Sequence, residues 1–174
     1  GQRVLAFHLI NSRDPGSERW DSPAKALRVT RVTDGTGQEL AFSHRCNEFL
    51  VDLGAPAPAG GKVELRIETA GDIFTATNGK RGDQYFDFYL VNWYPRPRTG
   101  FQSRFTFELT ARTRKPYRPV ASGDTVSLTE EGDRYVLRTK CVIPTWDVAL
   151  FAGRYRTFAP VRSASSCQGT RLLW

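Results

Sequence analysis

Arg104-Phe105-Thr106-Phe107-Glu108-Leu109-Thr110 decides the fold class. In an extended chain successive side chains point to opposite faces. Phe105, Phe107 and Leu109 then share one face, and Arg104, Thr106, Glu108 and Thr110 share the other. That is the mark of a sheet with one side buried and one side wet. Lys62-Val63-Glu64-Leu65-Arg66-Ile67-Glu68 repeats the pattern, and Glu48-Phe49-Leu50-Val51-Asp52-Leu53 aligns Phe49, Val51 and Leu53. Further strands are predicted over 3–10, 26–32, 39–43, 85–91, 125–128, 134–139 and 148–158.

Turn chemistry separates these runs. Asp34-Gly35-Thr36-Gly37 and Glu130-Glu131-Gly132-Asp133 read as hairpin connections, and Ala55-Pro56-Ala57-Pro58-Ala59-Gly60-Gly61 as an exposed loop. No segment has sustained helical periodicity with caps. About ten short strands with frequent turns predict an all-β, two-sheet antiparallel β-sandwich forming a single domain over 1–174.

The bulk numbers agree with that class. The chain has 174 residues, 40% hydrophobic and 25% charged. A chain of this length buries roughly 70% of its unfolded surface without a metal or disulfide staple. Its apolar runs fall short of the ~20 residues of a spanning helix, so no membrane-spanning segment is expected. No methionine is present and the chain begins at Gly1. The expectation is a cleaved or excised form of a longer protein, with Gly1 a tag remnant. No residue fixes a compartment, and export would fit a removed signal.

Lys and Arg number 25 against 18 Asp and Glu, a net charge of +7. Most basic residues are dispersed among apolar ones, as on a wet sheet face. Arg112, Arg114, Lys115 and Arg118 cluster beside Pro116 and Pro119 in an expected solvated loop, and nucleic acid is not an expected partner. Cys46, Cys141 and Cys167 lack zinc spacing, and an odd count leaves at least one thiol free; whether any two are bridged stays open. His8 and His44 define no metal cluster, and a His44/Cys46 pair lacks an orienting partner. No P-loop, G-x-S-x-G or H-E-x-x-H occurs. Neither a catalytic residue nor a metal ligand is therefore assigned. Arg81-Gly82-Asp83 reads as part of a turn-rich loop.

The least ordinary stretch is Tyr85-Phe86-Asp87-Phe88-Tyr89-Leu90-Val91-Asn92-Trp93-Tyr94-Pro95-Arg96-Pro97. Its first half alternates as a strand, and its Pro-rich end must leave the sheet. Trp93 and Tyr94, with Arg96 and Arg98, are the candidate interface or ligand surface. Two roles compete: a plug closing the end of the sandwich, or a stacking platform in a carbohydrate- or ligand-binding module.

The order of segments resembles the N-terminal β-sandwich, saddle-like domain of the M1 family of zinc aminopeptidases. The likeness runs over roughly 25–174. Leu27–Val32 with Gly37–Phe42 resembles the family's early paired strands. Phe49–Leu53 with Ala59–Glu68 is similar to its strand, glycine turn and alternating strand. Asn92–Pro95 followed by Phe105–Thr110 resembles the aromatic-Pro segment and the strand after it. Leu150–Tyr155 looks like the closing strand, and Gly169–Trp174 like the hand-over to the catalytic domain. Two features depart from the pattern. Pro95-Arg96-Pro97 stands where active members carry Asp-Glu-Pro, and the substrate-facing glutamine has no clear counterpart, Gln84 being the nearest. The resemblance places the zinc ligands downstream of Trp174. It implies a non-catalytic accessory domain with no cofactor of its own, zinc being held in a parent catalytic domain. The implied partner is that C-terminal catalytic domain of the same parent chain, whose substrate cleft this domain would shape.

Overall fold

The computed structural model describes residues 1–9, 27–45, 47–71, 75–78, 84–88, 93–98 and 104–155. Among them all regular structure is β. The strands are β1 (Val4–His8), β2 (Leu27–Asp34), β3 (Ala41–Arg45), β4 (Glu48–Asp52), β5 (Leu65–Gly71), β6 (Thr75–Asn78), β7 (Gln84–Phe88), β8 (Arg96–Pro97), β9 (Phe105–Arg114), β10 (Arg118–Ala121), β11 (Asp124–Glu131), β12 (Arg134–Thr145) and β13 (Leu150–Gly153). Every pairing is antiparallel. The hydrogen-bonded groups run β3-β4-β1-β8, β10-β13-β7-β6, β11-β12-β9 and β2-β5.

β9 keeps the alternation expected of it. Phe105, Phe107, Leu109 and Ala111 are withdrawn from solvent, while Thr106, Glu108, Thr110 and Arg112 are exposed. In β4, Phe49 and Val51 are fully buried. They form the principal core with Leu9, Leu27 and Val32, and Phe7, Leu65, Ile67, Trp93 and Leu150 pack around them. Residues from three of the four hydrogen-bonded groups thus converge on Phe49. Three rings surround it, with centroids at 5.6 Å (Phe7), 6.1 Å (Phe42) and 5.8 Å (His44). Burying these rings supplies the apolar driving force, since removal of apolar area from water dominates folding.

Both turns form. β11 and β12 close on Gly132-Asp133, with Glu131 opposite Arg134. Gly132 has φ of 59°, a left-handed conformation that favours glycine. The Asp34–Gly37 turn is organised by Asp34, whose Oδ1 accepts from Thr36 N–H at 2.9 Å, Thr36 Oγ1–H at 2.7 Å and Gln38 N–H at 2.9 Å. These bonds, the Thr36 hydroxyl first, hold its carboxyl below the usual aspartate value. The turn closes over a single bridge, Thr33 to Glu39, after which β3 pairs with β4 and β2 with β5.

Some expected boundaries shift for reasons of pairing. The strand read over 62–68 begins at Leu65 and runs to Gly71. Its partner β2 enters the turn at Asp34, directly opposite Leu65, so Lys62–Glu64 have no neighbour to pair with, and Val63 is left exposed. The basic segment expected as a loop is mostly strand: Arg112 and Arg114 lie on β9 and Arg118 opens β10. β12 supplies Val136 and Arg134 as cross-strand partners, which carries β9 through Arg114. Cys141 is a half-buried free thiol. Cys46, Cys167, Arg81-Gly82-Asp83 and Gly169–Trp174 lie outside the described residues, and with them any bridge involving Cys46 or Cys167. No helix among the described residues is long and apolar enough to cross a membrane.

Candidate functional site

The Pro-rich end of the aromatic segment leaves one sheet and joins another. β7 pairs with β13 and β6, whereas β8 pairs with β1, Arg96 facing His8 and Pro97 facing Phe7. Arg98 N–H donates to the Ala6 carbonyl at 2.9 Å, prolonging that contact. Proline tolerates this position because a short edge strand needs few N–H donors. The crossing brings Trp93, Tyr94, Arg96 and Arg98 together on one short segment.

Each of the four is tied to a distant part of the chain. Trp93 packs on the Phe49 core, and its indole N–H donates to the Val148 carbonyl at 3.2 Å. The Tyr94 hydroxyl donates to Asp147 Oδ1 at 3.0 Å. Its ring stands edge-on to Trp93, 5.2 Å between centroids, and to Phe105, 5.8 Å. The Arg96 guanidinium donates to the Trp146 carbonyl at 2.7 Å and lies 6.0 Å from the Tyr94 ring centre. Arg98 forms an ion pair with Glu48. Burial, reinforced by the Asp147 carboxylate, pushes the Tyr94 phenol up to about 12.

The counterpart segment, Thr145–Ala149, was not singled out by sequence reasoning. Asp147 is its hub: Oδ1 also accepts from Val148 N–H at 2.9 Å, and its carbonyl accepts from Thr145 Oγ1–H at 3.3 Å. The available signal was an aspartate directly after Trp146 in a turn bounded by Pro144. Trp146 itself is 61% exposed with the Arg104 guanidinium 5.9 Å from its ring centre, and Ile143 and Val142 beside it are exposed as well. The polar tips of Trp93 and Tyr94 are therefore engaged internally, and the outward surface of this end joins exposed apolar side chains to the guanidinium groups of Arg98 and Arg104.

Reactive groups do not gather elsewhere among the described residues. No three His, Cys, Asp or Glu side chains there are grouped so as to hold a metal ion. His44 Nε2 lies 3.1 Å from the Leu9 carbonyl oxygen, and the Cys141 thiol donates to the Ile143 carbonyl at 3.2 Å.

No family model and no curated protein sequence matches this chain. Solved structures do. An M1 zinc metallopeptidase from Deinococcus radiodurans superposes with a TM-score of 0.64 at 17% identity, over 87% of this chain and 34% of that one. A two-domain M1 zinc metallopeptidase mutant bound to L-tryptophan gives the same values. Native yeast LTA4 hydrolase aligns with a TM-score of 0.57 at 18% identity, over 92% of this chain and 25% of its own. The all-β chain therefore has the fold of a part of M1 zinc metallopeptidases, and it resembles their N-terminal domain. It spans about a third of the length of the first of these structures.

Proposed function

We propose that residues 1–174 form a single, non-catalytic N-terminal β domain of an M1 peptidase-like protein. In this reading the domain packs on a C-terminal catalytic domain of the same parent chain and shapes its substrate cleft. Zinc belongs to that partner domain, not to this one. The observation that carries the proposal is the partial match: most of this chain is superposed on about a third of a zinc metallopeptidase. Peptide hydrolysis by zinc needs a Lewis acid, a base and a carbonyl-polarising group at one site. A rigid β unit contributes to such a site as a wall.

Trp93, Tyr94, Arg96 and Arg98 are the proposed contact surface toward the catalytic domain or its cleft. Their support is that Trp93, Tyr94 and Arg96 are cross-braced to Trp146–Val148, while Arg98 pairs with Glu48. A carbohydrate-stacking role for Trp93 and Tyr94 is less well supported, because both polar tips are already bonded within the chain.

The test uses the protein encoded with the sequence that follows Trp174. The reading expects an H-E-x-x-H helix there and peptide-length preferences that change when Arg96 is replaced by Ala. A long downstream sequence without zinc ligands would remove the peptidase part of the proposal. Unchanged length preference would remove the cleft-shaping part.

A further inference from the structure

The exposed face of the β11-β12-β9 sheet carries a concentration of arginines that the pairing register brings together. On β9, Arg112 and Arg114 are exposed at alternate positions, so they share a face. Across the ladder Arg114 stands opposite Arg134, Arg112 opposite Val136 and Thr110 opposite Arg138. Residues directly opposite on one face have Cβ atoms about 5 Å apart, and diagonal neighbours lie about 7–8 Å apart. Like charges placed directly opposite destabilise a sheet, so the Arg114–Arg134 pair works against the fold.

Acids relieve part of this. Lys140 is matched by Glu108 at 2.7 Å, and Arg134 lies 3.7 Å from Asp133. Arg112, Arg114 and Arg138 have no carboxylate partner among the described residues. Glu131 stands opposite Arg134 and Asp124 opposite Lys140 on the same face, so the uncompensated charge is that of Arg112, Arg114 and Arg138.

The same face is apolar at its other end. Alternation continues from Arg138 and Lys140 to Val142, which is 62% exposed. Arg104, just before β9, lies against the exposed ring of Trp146, and Ile143 beside it is 76% exposed. A tract of guanidinium groups thus ends in the exposed side chains of Val142 and Trp146.

We infer that this face binds an anionic lipid bilayer surface, the arginines meeting headgroup phosphates and carboxylates and Trp146 with Val142 entering the interfacial layer. Charge complementarity selects an anionic partner. The apolar end selects a bilayer over a nucleic acid, whose sugar-phosphate backbone offers nothing to Val142. Apart from Trp146, the arginine face carries no exposed aromatic on which bases could stack. Amphipathic surfaces that combine basic residues with tryptophan bind in this manner. The inference stands independently of the proposed peptidase role.

Co-sedimentation of the purified chain with phosphatidylcholine vesicles, with and without phosphatidylserine, tests it. Binding is expected only to the serine-containing vesicles, weakening as salt rises. The triple variant Arg112→Gln, Arg114→Gln, Arg138→Gln should lose about tenfold or more in affinity, since each basic residue near such a surface contributes measurably. Its melting temperature should not fall, because cross-strand repulsion is relieved; should it fail to fold, Arg138→Gln alone is read in the same assay. Trp146→Ser should weaken binding less and abolish the tryptophan blue shift on vesicle addition. Equal binding to both vesicle types, equal binding by the arginine variants, or no binding would overturn the inference. So would a single-stranded oligonucleotide that displaces the vesicles and binds the Trp146 variant as well as the parent, which assigns the face to nucleic acid.

Discussion

Two aromatic clusters in this molecule are built for opposite ends. Around Phe49 the rings of Phe7, Phe42 and His44 close on a side chain with no solvent exposure. Around Tyr94 the rings of Trp93 and Phe105 meet a bonded polar network, and Trp146 next to it projects into solvent. The first cluster holds strands together by burial. The second spends its polar tips on fixing Thr145–Ala149 against β8, and shows exposed apolar side chains and guanidinium groups outward. Aromatic content alone therefore does not mark a binding site; what matters is where the indole N–H and phenol O–H are committed.

The sharpest way to break this contrast is to truncate the first cluster. Phe49→Ala should cost about 3–5 kcal/mol in urea unfolding, because a fully buried ring leaves both lost transfer energy and a cavity. A cost below about 1 kcal/mol would mean that Phe49 is not the centre of the core.

In the second cluster, Tyr94→Phe should cost about 1 kcal/mol near neutral pH, the net worth of one hydrogen bond. It carries a pH signature as well. The folded phenol titrates near 12 against an ordinary value of 10.0. A raised value means that the stabilisation is fully present below pH 10 and is lost as pH climbs toward 12. The stability gap between parent and variant should shrink across that window, and a constant gap would contradict the burial of the phenol beside Asp147.

Smaller still is the effect at Asp52. Its carboxyl accepts from Arg3 at 2.9 Å through both oxygens and from Gly54 N–H at 2.9 Å. The Arg3 bond, more than any other cause, lowers its titration below 3.8. Its contribution is present above that value and fades as pH falls through the lowered one. Asp52→Asn should thus lose a little stability at neutral pH and none in strong acid, as acid titration monitored by circular dichroism would register. Exposure keeps this effect modest. Smallest of all, Trp146→Ser should change unfolding free energy by no more than about 0.5 kcal/mol, since most of its surface stays in solvent. A larger loss would move Trp146 from the outward surface into the structural set.

What was legible in the sequence depended on local regularity. β4 and β9 announce themselves because alternating burial writes a repeat of two into any half-buried strand, and Gly132 marks its hairpin through a backbone requirement. β6, β8 and β10 are too short for a repeat, and Pro97 and Pro119 argue against strands that tertiary pairing nonetheless completes. Arg112 and Arg114 read as loop charge because their partners, on β12, lie twenty or more residues along the chain. The candidate site was visible as a cluster of unusual residues. Its counterpart at Trp146–Val148 lies about fifty positions away, and no local pattern reports a contact across that separation.

In the proposed role this chain lends a surface and no reactive groups. The direct measurement is the initial rate of aminoacyl-nitroanilide hydrolysis by the purified chain with added zinc. The account predicts no turnover above buffer. Hydrolysis that a chelator abolishes and zinc restores would contradict it.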